Sequence, residues 1–308
     1  MKTALEAKGL TKKYGDIIAV NNIDLQINKG EIFGLLGPNG AGKSSLMRMM
    51  YGSSALQDGE LYILGLNAKT NFREIKAKIG IVPQEEGLDS DFDAYENLLW
   101  FARYNLMSTE VAHQRADELI REFQLDQFRR FEIQALSGGN RRKLAIARSL
   151  VNSPELLFLD EPTVGLDPEA RVWIWAYLKS LKEEKKSSII LTTHYMEEAE
   201  RICDRIAIIS NGRIISSGSP QELITENIGK EVIELEVNQN DLSYYAGRLK
   251  EKSFGFQIVG KNINVHLAQE NKNQEVLSLV HSKQIFIRRP NLNDVYLKLT
   301  GKKLDGVI

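Results

Sequence analysis

The chain of 308 residues contains a single cysteine, Cys203. Internal disulfides and any cysteine-built metal cage are therefore excluded. Cys203 lies within ERICDRIAII, where a packed core residue is expected, because free cysteine is among the most buried residue types. Histidine is scarce as well. Of the four, His113, His266 and His281 fall on apparent helix or strand faces and read as structural or solvated. None of the four belongs to a metal-ligand cluster. An excess of charge is also missing: 40 Lys and Arg oppose 41 Asp and Glu, for a formal net charge of −1. A polybasic nucleic-acid binder or an acidic disordered tail does not fit that balance. Long apolar runs are absent too. The longest, such as LLFL at 156–159, are strand-sized, well short of the ~18 residues that cross a bilayer. MKTALEAKGL at the start has no apolar signal-peptide core. The expectation is a cytoplasmic chain that does not itself cross the membrane.

What is present is ordinary in amount and ordered in arrangement. Hydrophobic residues make up 43% and charged residues 26%, the balance of a soluble globular protein, and the length suggests about two domains. Strand-like and helix-like segments alternate through the first ~215 residues, which predicts an α/β domain with a largely parallel sheet. Three strands matter most. EIFGLL (31–36) runs into a glycine-rich turn, ELLFLD (155–160) into a Pro- and Gly-containing loop, and SSIILTTH (187–194) into a helical pattern. Ligands of open parallel sheets sit beyond the carboxyl ends of the strands, and all three segments place polar residues there. Residues 93–130 read as helices, with VAHQRADELIREF (111–123) clearly amphipathic. The punctuation changes near NGRIISSGSPQEL (211–223). Beyond it the pattern predicts strands at 231–237, 255–260, 262–268 and 284–289 and helices at 240–251 and 271–282, with a short helix at 292–299. The order βαββαβ suggests a small α+β, ferredoxin-like domain. The expected division is 1–225 and 226–308, with a helical subdomain at about 88–150.

Residues 37–44 read GPNGAGKS, the phosphate-loop pattern. Gly37, Gly40 and Gly42 let the backbone curl around phosphate oxygens at torsions other residues resist. The N–H groups of Gly37, Pro38's neighbours, Asn39, Gly40, Ala41 and Gly42 then form an anion nest at a helix N-terminus. Lys43 brings a point charge, and the Ser44 hydroxyl, followed by Ser45, suits a hard cation such as Mg²⁺. Leu46, Met49 and Met50 of the next helix have core spacing. In LLFLDEP (156–162), Asp160 ends a buried strand, where it can orient Mg²⁺, and Glu161 would act on the attacking water. A free Glu has a pKa near ~4.3, a poor match for a base at neutral pH. Its contribution must come from orientation or from a pKa raised by its site. LSGGN (136–140) places Ser137, Gly138 and Gly139 before a helix, a second anion-ready N-terminus. His194 ends a strand on the ligand edge.

These elements, in this order over residues ~1–225, resemble the ATPase subunits of ABC transporters. The resemblance implies a P-loop ATPase fold with a helical subdomain, and ATP and Mg²⁺ as cofactors. It implies that Tyr14 in KKYGD stacks on adenine and that Gln84 in IVPQE reaches Mg²⁺ and the attacking water. It implies further that LSGGN is the signature, with Asn140 where Gln is more usual, that Asp167 in GLDP is the D-loop residue, and that His194 is the switch at the γ-phosphate. Two such subunits pair head to tail, so each ATP would sit between Lys43 of one chain and Ser137 of another, in a homodimer or a heterodimer. A separate membrane permease is the implied partner, which places the chain at the cytoplasmic face of the membrane. Nucleic acid is not an expected partner.

TTHYMEEAERICDRIAII and RRPNLNDVYLKLTGKKL resemble the ATPase subunits of type 2 exporters of the daunorubicin and doxorubicin resistance kind. They imply export of an unidentified substrate, with a regulatory or dimerising role for the C-terminal domain. The alternatives are an importer's ATPase and a non-transport ABC ATPase acting on nucleic acid or ribosomes. About 100 positions separate Gly37 from Ser137, which leaves no room for the long coiled coil of the DNA-repair members. The single cassette argues against a translation factor. Within EEGLDSDFDAYENLLWFARYN (85–105), Phe92 and Tyr95 are expected to dock the permease, and Leu98 and Phe101 to pack inward.

Overall fold

The computed structural model describes residues 3–268, 272–280 and 284–301; His281 lies outside the described residues. The chain forms two compact units, Met1–Ile214 and Ile215–Ile308. β1 (Thr3–Tyr14) and β2 (Ile17–Asn28) form an antiparallel hairpin, and β3 (Ile32–Leu36) follows. Helix α1 (Lys43–Met50) starts within the glycine-rich turn, and then come β4 (Asp58–Ile63), β5 (Leu66–Asn67), α2 (Phe72–Lys78) and β6 (Ile79–Val82). Three helices, α3 (Ala94–Tyr104), α4 (Thr109–Glu122) and α5 (Gly138–Ser149), pack on one another. β7 (Leu156–Asp160), α6 (Pro168–Lys185), β8 (Ser188–Thr193), α7 (Met196–Ile202), β9 (Arg205–Ser210) and β10 (Arg213–Gly218) complete the α/β part.

β3, β7 and β8 are buried along their whole lengths. That is why their sequences run almost continuously apolar: a parallel strand covered on both faces has no solvent side. They belong to a six-stranded sheet of order β10-β9-β3-β8-β7-β6, parallel from β9 to β6. A second sheet, β2-β1-β4-β5, is antiparallel. The alternation of strand and helix patterns did not separate it from the parallel one. Its strands have one solvated face, and β2 alternates buried and exposed toward its end. Leu46, Met49 and Met50 are fully buried between the sheets, each worth roughly 1.5–3 kcal/mol of transfer free energy. Cys203 is buried, as expected, and its Sγ would lie 2.8 Å from a Cβ placed on Gly34, so the glycine makes room for the thiol.

The second unit contains α8 (Pro220–Asn227), β11 (Glu231–Glu236), α9 (Leu242–Glu251), β12 (Gly255–Val259), β13 (Asn262–Leu267), α10 (Asn273–Leu279), β14 (Gln284–Arg288) and α11 (Leu292–Thr300). Its strands form an antiparallel sheet of order β12-β13-β11-β14. Ile233, Leu235, Ile263 and Val265 pack with Leu249 and Val276 of the helices. α8 packs against α11 within this unit.

The strand order decides what the first unit can do. β3, β8, β7 and β6 are consecutive neighbours. Their carboxyl ends therefore place the glycine-rich turn, His194, Asp160–Glu161 and Pro83–Gln84 along one edge, the edge where such sheets bind ligands.

Candidate functional site

The turn after β3 is built around glycine. Gly40 and Gly42 have φ of 79° and 105°, where a side chain is strained. A Cβ on Gly37 would lie 2.4 Å from the Ile209 carbonyl, and one on Gly42 would lie 2.1 Å from the Ala19 carbonyl. The backbone can therefore approach its neighbours this closely only with glycine there. The cradle fits a polyphosphate. Ala41 and Lys43 are buried, Pro38, Ser44 and Ser45 half-buried, and Asn39 exposed. The Lys43 ammonium folds back into the turn, donating to the carbonyls of Gly37 (2.7 Å) and Pro38 (3.1 Å).

Lys43 Nζ also stands 3.6 Å from Glu161 Oε1. Burial lowers the Lys43 pKa, and the charges of Glu161 and Asp160 oppose that shift only in part. Glu161 follows the last residue of β7 with φ of 49°, a left-handed conformation that costs a non-glycine residue on the order of 1 kcal/mol. Its N–H is held by Thr192 Oγ1 at 2.9 Å. Its carboxylate lies 3.3 Å from His194 Nδ1. Burial pushes the Glu161 pKa up, but the neighbouring His194 and Lys43 outweigh it and hold the group below the usual carboxylate range. Of the two routes open to Glu161, orientation is the one this geometry supports.

Asp160 Oδ1 accepts from Ser44 Oγ (3.3 Å) and from Thr192 Oγ1. Hard oxygens from the start of α1 and the end of β7 thus converge beside Lys43, a donor set that fits Mg²⁺. Gln84 is exposed and lines a cavity of about 770 Å³ together with Asp160, Glu161, Tyr51 and Arg142. Tyr14 stands at the end of β1, 47% exposed, with the Lys12 ammonium 5.4 Å from its ring. Its hairpin leads directly to Ala19, the residue that backs Gly42.

The signature and D-loop residues form a separate patch. Ser137 caps α5, its Oγ accepting from the Asn140 N–H at 3.2 Å. Asp167 caps α6 ahead of Pro168, accepting from the Ala170 N–H at 2.8 Å. Gly139 lies between the two: a Cβ there would be 3.6 Å from Asp167 Oδ2 and 4.0 Å from Ser137 Oγ. Gly138 is half-buried beside it, while Ser137 and Asp167 are exposed.

The family described as "ABC transporter" matches residues 20–164. A "Nod factor export ATP-binding protein I" from Cupriavidus pinatubonensis is 40% identical over 303 residues, 97% of this chain and 91% of the relative. One of the same name from Rhizobium etli is 40% identical over 304 residues, 98% of this chain and 95% of the relative. The chain belongs to the ATP-binding proteins of ABC transporters. A dimeric ATP-binding cassette solved in a post-hydrolysis state with ADP and Pi superposes with a TM-score of 0.65 at 30% identity, covering 70% of this chain and 98% of that one. This ABC protein is an ATPase subunit of a transporter, and it binds and hydrolyses ATP.

Two residues of this ATPase escaped sequence reasoning. Arg142 is buried and donates to the main-chain carbonyls of Pro83, Asp160, Glu161 and Pro162. RRK after the signature reads as a solvated basic run, and nothing in its spacing marks the middle residue. Glu198 is fully buried, accepts from Thr163 Oγ1 (2.7 Å) and Trp175 Nε1 (2.9 Å), and has its pKa raised by burial. It ties the loop after Glu161 to α6 and α7; the helix period at 196–202 hinted that it faces inward. His113, by contrast, is exposed and bonded to Tyr95. The docking expectation for Tyr95 needs correction. The ring is 4% exposed, hydrogen-bonded to His113 and covered by the Arg129 guanidinium 3.8 Å from its centroid. Leu98 is buried as expected, whereas Trp100, stacked on half-buried Phe92 at 6.0 Å, is exposed.

Proposed function

We propose that this ATPase powers export through a separate membrane permease, from the cytoplasmic face of the membrane. The observation that carries the reading is the extent of the likeness: alignments 40% identical overall to proteins named for export cover 97% and 98% of this chain, and so take in the second unit as well as the cassette. No helix among the described residues is long and apolar enough to cross a membrane, which agrees with a permease on another chain.

At the site, Gly37 to Ser45 hold the phosphates of ATP and Tyr14 stacks on its base. Ser44, Asp160 and Gln84 hold Mg²⁺, which supplies charge neutralisation when bound. Glu161, fixed by Thr192 and His194, orients the attacking water, and His194 and Gln84 register the terminal phosphate. Ser137, Gly138, Gly139 and Asp167 complete the site of a second copy, a reading that the exposure of Ser137 and Asp167 supports. The homodimer is the simplest assembly that uses one set of each. The βαββαβ order and antiparallel strand order of the second unit support a ferredoxin-like domain, whose lack of nucleotide motifs suits regulation or dimerisation. In sequence terms the cassette occupies 1–225, with a helical subdomain at about 88–150.

The test is direction of transport. The complex with its co-purified permease is reconstituted into vesicles with the ATPase facing outward. The vesicles are then incubated with a small-molecule extract of the source cells. External ATP should load compounds into the lumen, read by mass spectrometry. ATP-driven emptying of preloaded vesicles would instead assign an importer.

A further inference from the structure

Arg142 plays no part in the roles above, yet it joins three of the segments that carry them. It lies on α5, 4% exposed. Nε donates to the Pro162 carbonyl at 2.8 Å, Nη1 to Pro83 at 2.9 Å, and Nη2 to Asp160 at 2.8 Å and Glu161 at 3.0 Å. All four acceptors are main-chain oxygens. Burying a guanidinium on neutral acceptors is costly, and an apolar side chain would pack α5 at lower cost. What arginine adds is a rigid fork of five donors that can hold several carbonyls in fixed relation.

The held carbonyls are those on which the site's geometry depends. Pro83 precedes Gln84 by one peptide. Asp160, Glu161 and Pro162 form the turn at the end of β7. Glu161 occupies the left-handed region, a conformation that persists only where its surroundings enforce it. Thr192 holds its N–H and Arg142 holds its carbonyl, so both peptide planes flanking its Cα are fixed. The direction of its Cα–Cβ bond follows from them, and the contacts with Lys43 and His194 then place the carboxylate. Arg148, on the same helix, fastens the Gln84 loop further along, donating to the carbonyls of Gly87 and Glu86, but makes no bond to residues 160–162.

We propose that Arg142 is a positioning residue for hydrolysis, tying the signature helix α5 and the Gln84 peptide to the Glu161 turn so that the three move as one piece. This rests on Glu161 orienting the attacking water. A displacement of α5, which starts at Ser137, is then passed to Glu161 through one side chain rather than through the sheet.

The experiment compares Arg142→Lys, Arg142→Gln and Arg148→Gln in the full chain. Folding is checked by circular dichroism, the Kd by a fluorescent ATP analogue, and kcat and KM by phosphate release. Lysine keeps the charge but cannot span the four carbonyls. R142K should bind ATP within about twofold of the parent and lose about tenfold or more in kcat, the scale expected when a reacting group is misplaced by ~1 Å. R142Q should lose more, and R148Q clearly less than R142K. The proposal is overturned if R142K retains kcat within about twofold, if R142K and R148Q lose it equally, if Kd worsens as much as kcat, or if neither Arg142 variant folds, which would make the residue a stability element. Glu161→Gln runs alongside. Parental turnover there would sink the reading of Glu161, whereas an inactive E161Q beside a normal R142K would sink this inference alone.

Discussion

Glu161 sits between Lys43 Nζ at 3.6 Å and His194 Nδ1 at 3.3 Å, and its pKa is depressed despite burial. At neutral pH it is an anion with little appetite for a proton, and its value lies in where its oxygens are held. E161Q keeps the shape and removes the charge. It should lower kcat by about a hundredfold or more while ATP still binds, because the glycine cradle and Lys43 are untouched. The ATP-bound variant should then accumulate as a dimer, measured by light scattering with and without ATP. Turnover at the parental rate would remove Glu161 from its assigned role. Lys43 and Glu161 were legible from their motifs as residues. Their mutual distance and the direction of the carboxyl's shift were not, because both depend on neighbours far away in sequence.

At the scale of elements, α3 shows how a helix divides its aromatic residues. Its N-terminus is fixed by a capping box between Asp93 and Glu96, and that start sets the rotation of every following side chain. Tyr95 and Leu98 turn inward and Trp100 turns outward against Phe92. The docking surface consistent with that rotation is the Phe92–Trp100 stack. Replacing both with Ala should leave basal ATP hydrolysis and folding largely intact. It should uncouple transport, while a separate Phe92→Cys variant, in a background lacking Cys203, should crosslink to the permease's cytoplasmic loops. Efficient transport by the double variant would exclude the surface. Tyr95→Ala, which removes a buried ring and the bond to His113, should instead destabilise α3 and α4 by about 3 kcal/mol, read by urea unfolding.

At the scale of the whole molecule, the second unit carries a response to acid of its own. His266 on β13 is buried, its Nε2 finds no partner among the described residues, and burial pushes its pKa down to about 4, with Asp294 opposing and Lys298 and Arg288 assisting. The unfolded chain takes up this proton near pH ~6.5. Between there and about 4 the unfolded state binds more protons. The second unit should therefore lose stability as pH falls through that window, by up to about 3 kcal/mol. Hydrogen exchange at β11 and β13, corrected for intrinsic rates, should show the loss, and His266→Gln should flatten it. An unchanged slope in that variant would assign the acid response to another group.

Local chemistry was enough for much of this protein. GPNGAGKS demands glycine torsions and an anion, LLFLDEP and SSIILTTH are strands that end in polar groups, and the alternating segments after residue 230 form a small antiparallel sheet. Each of these follows from spacing that a short window contains. Only the tertiary structure decided that β3, β8, β7 and β6 are neighbours, so that Gly37, His194, Glu161 and Gln84 share an edge. Strand order is a property of pairing between distant segments, and no local period records it. The same holds for Arg142: its four acceptors come from two strand ends, at 83 and at 160–162, and the sequence shows merely a basic triplet on a helix. It holds for Tyr95, whose aromatic character announced a surface role that His113 and Arg129, packed over it, rule out.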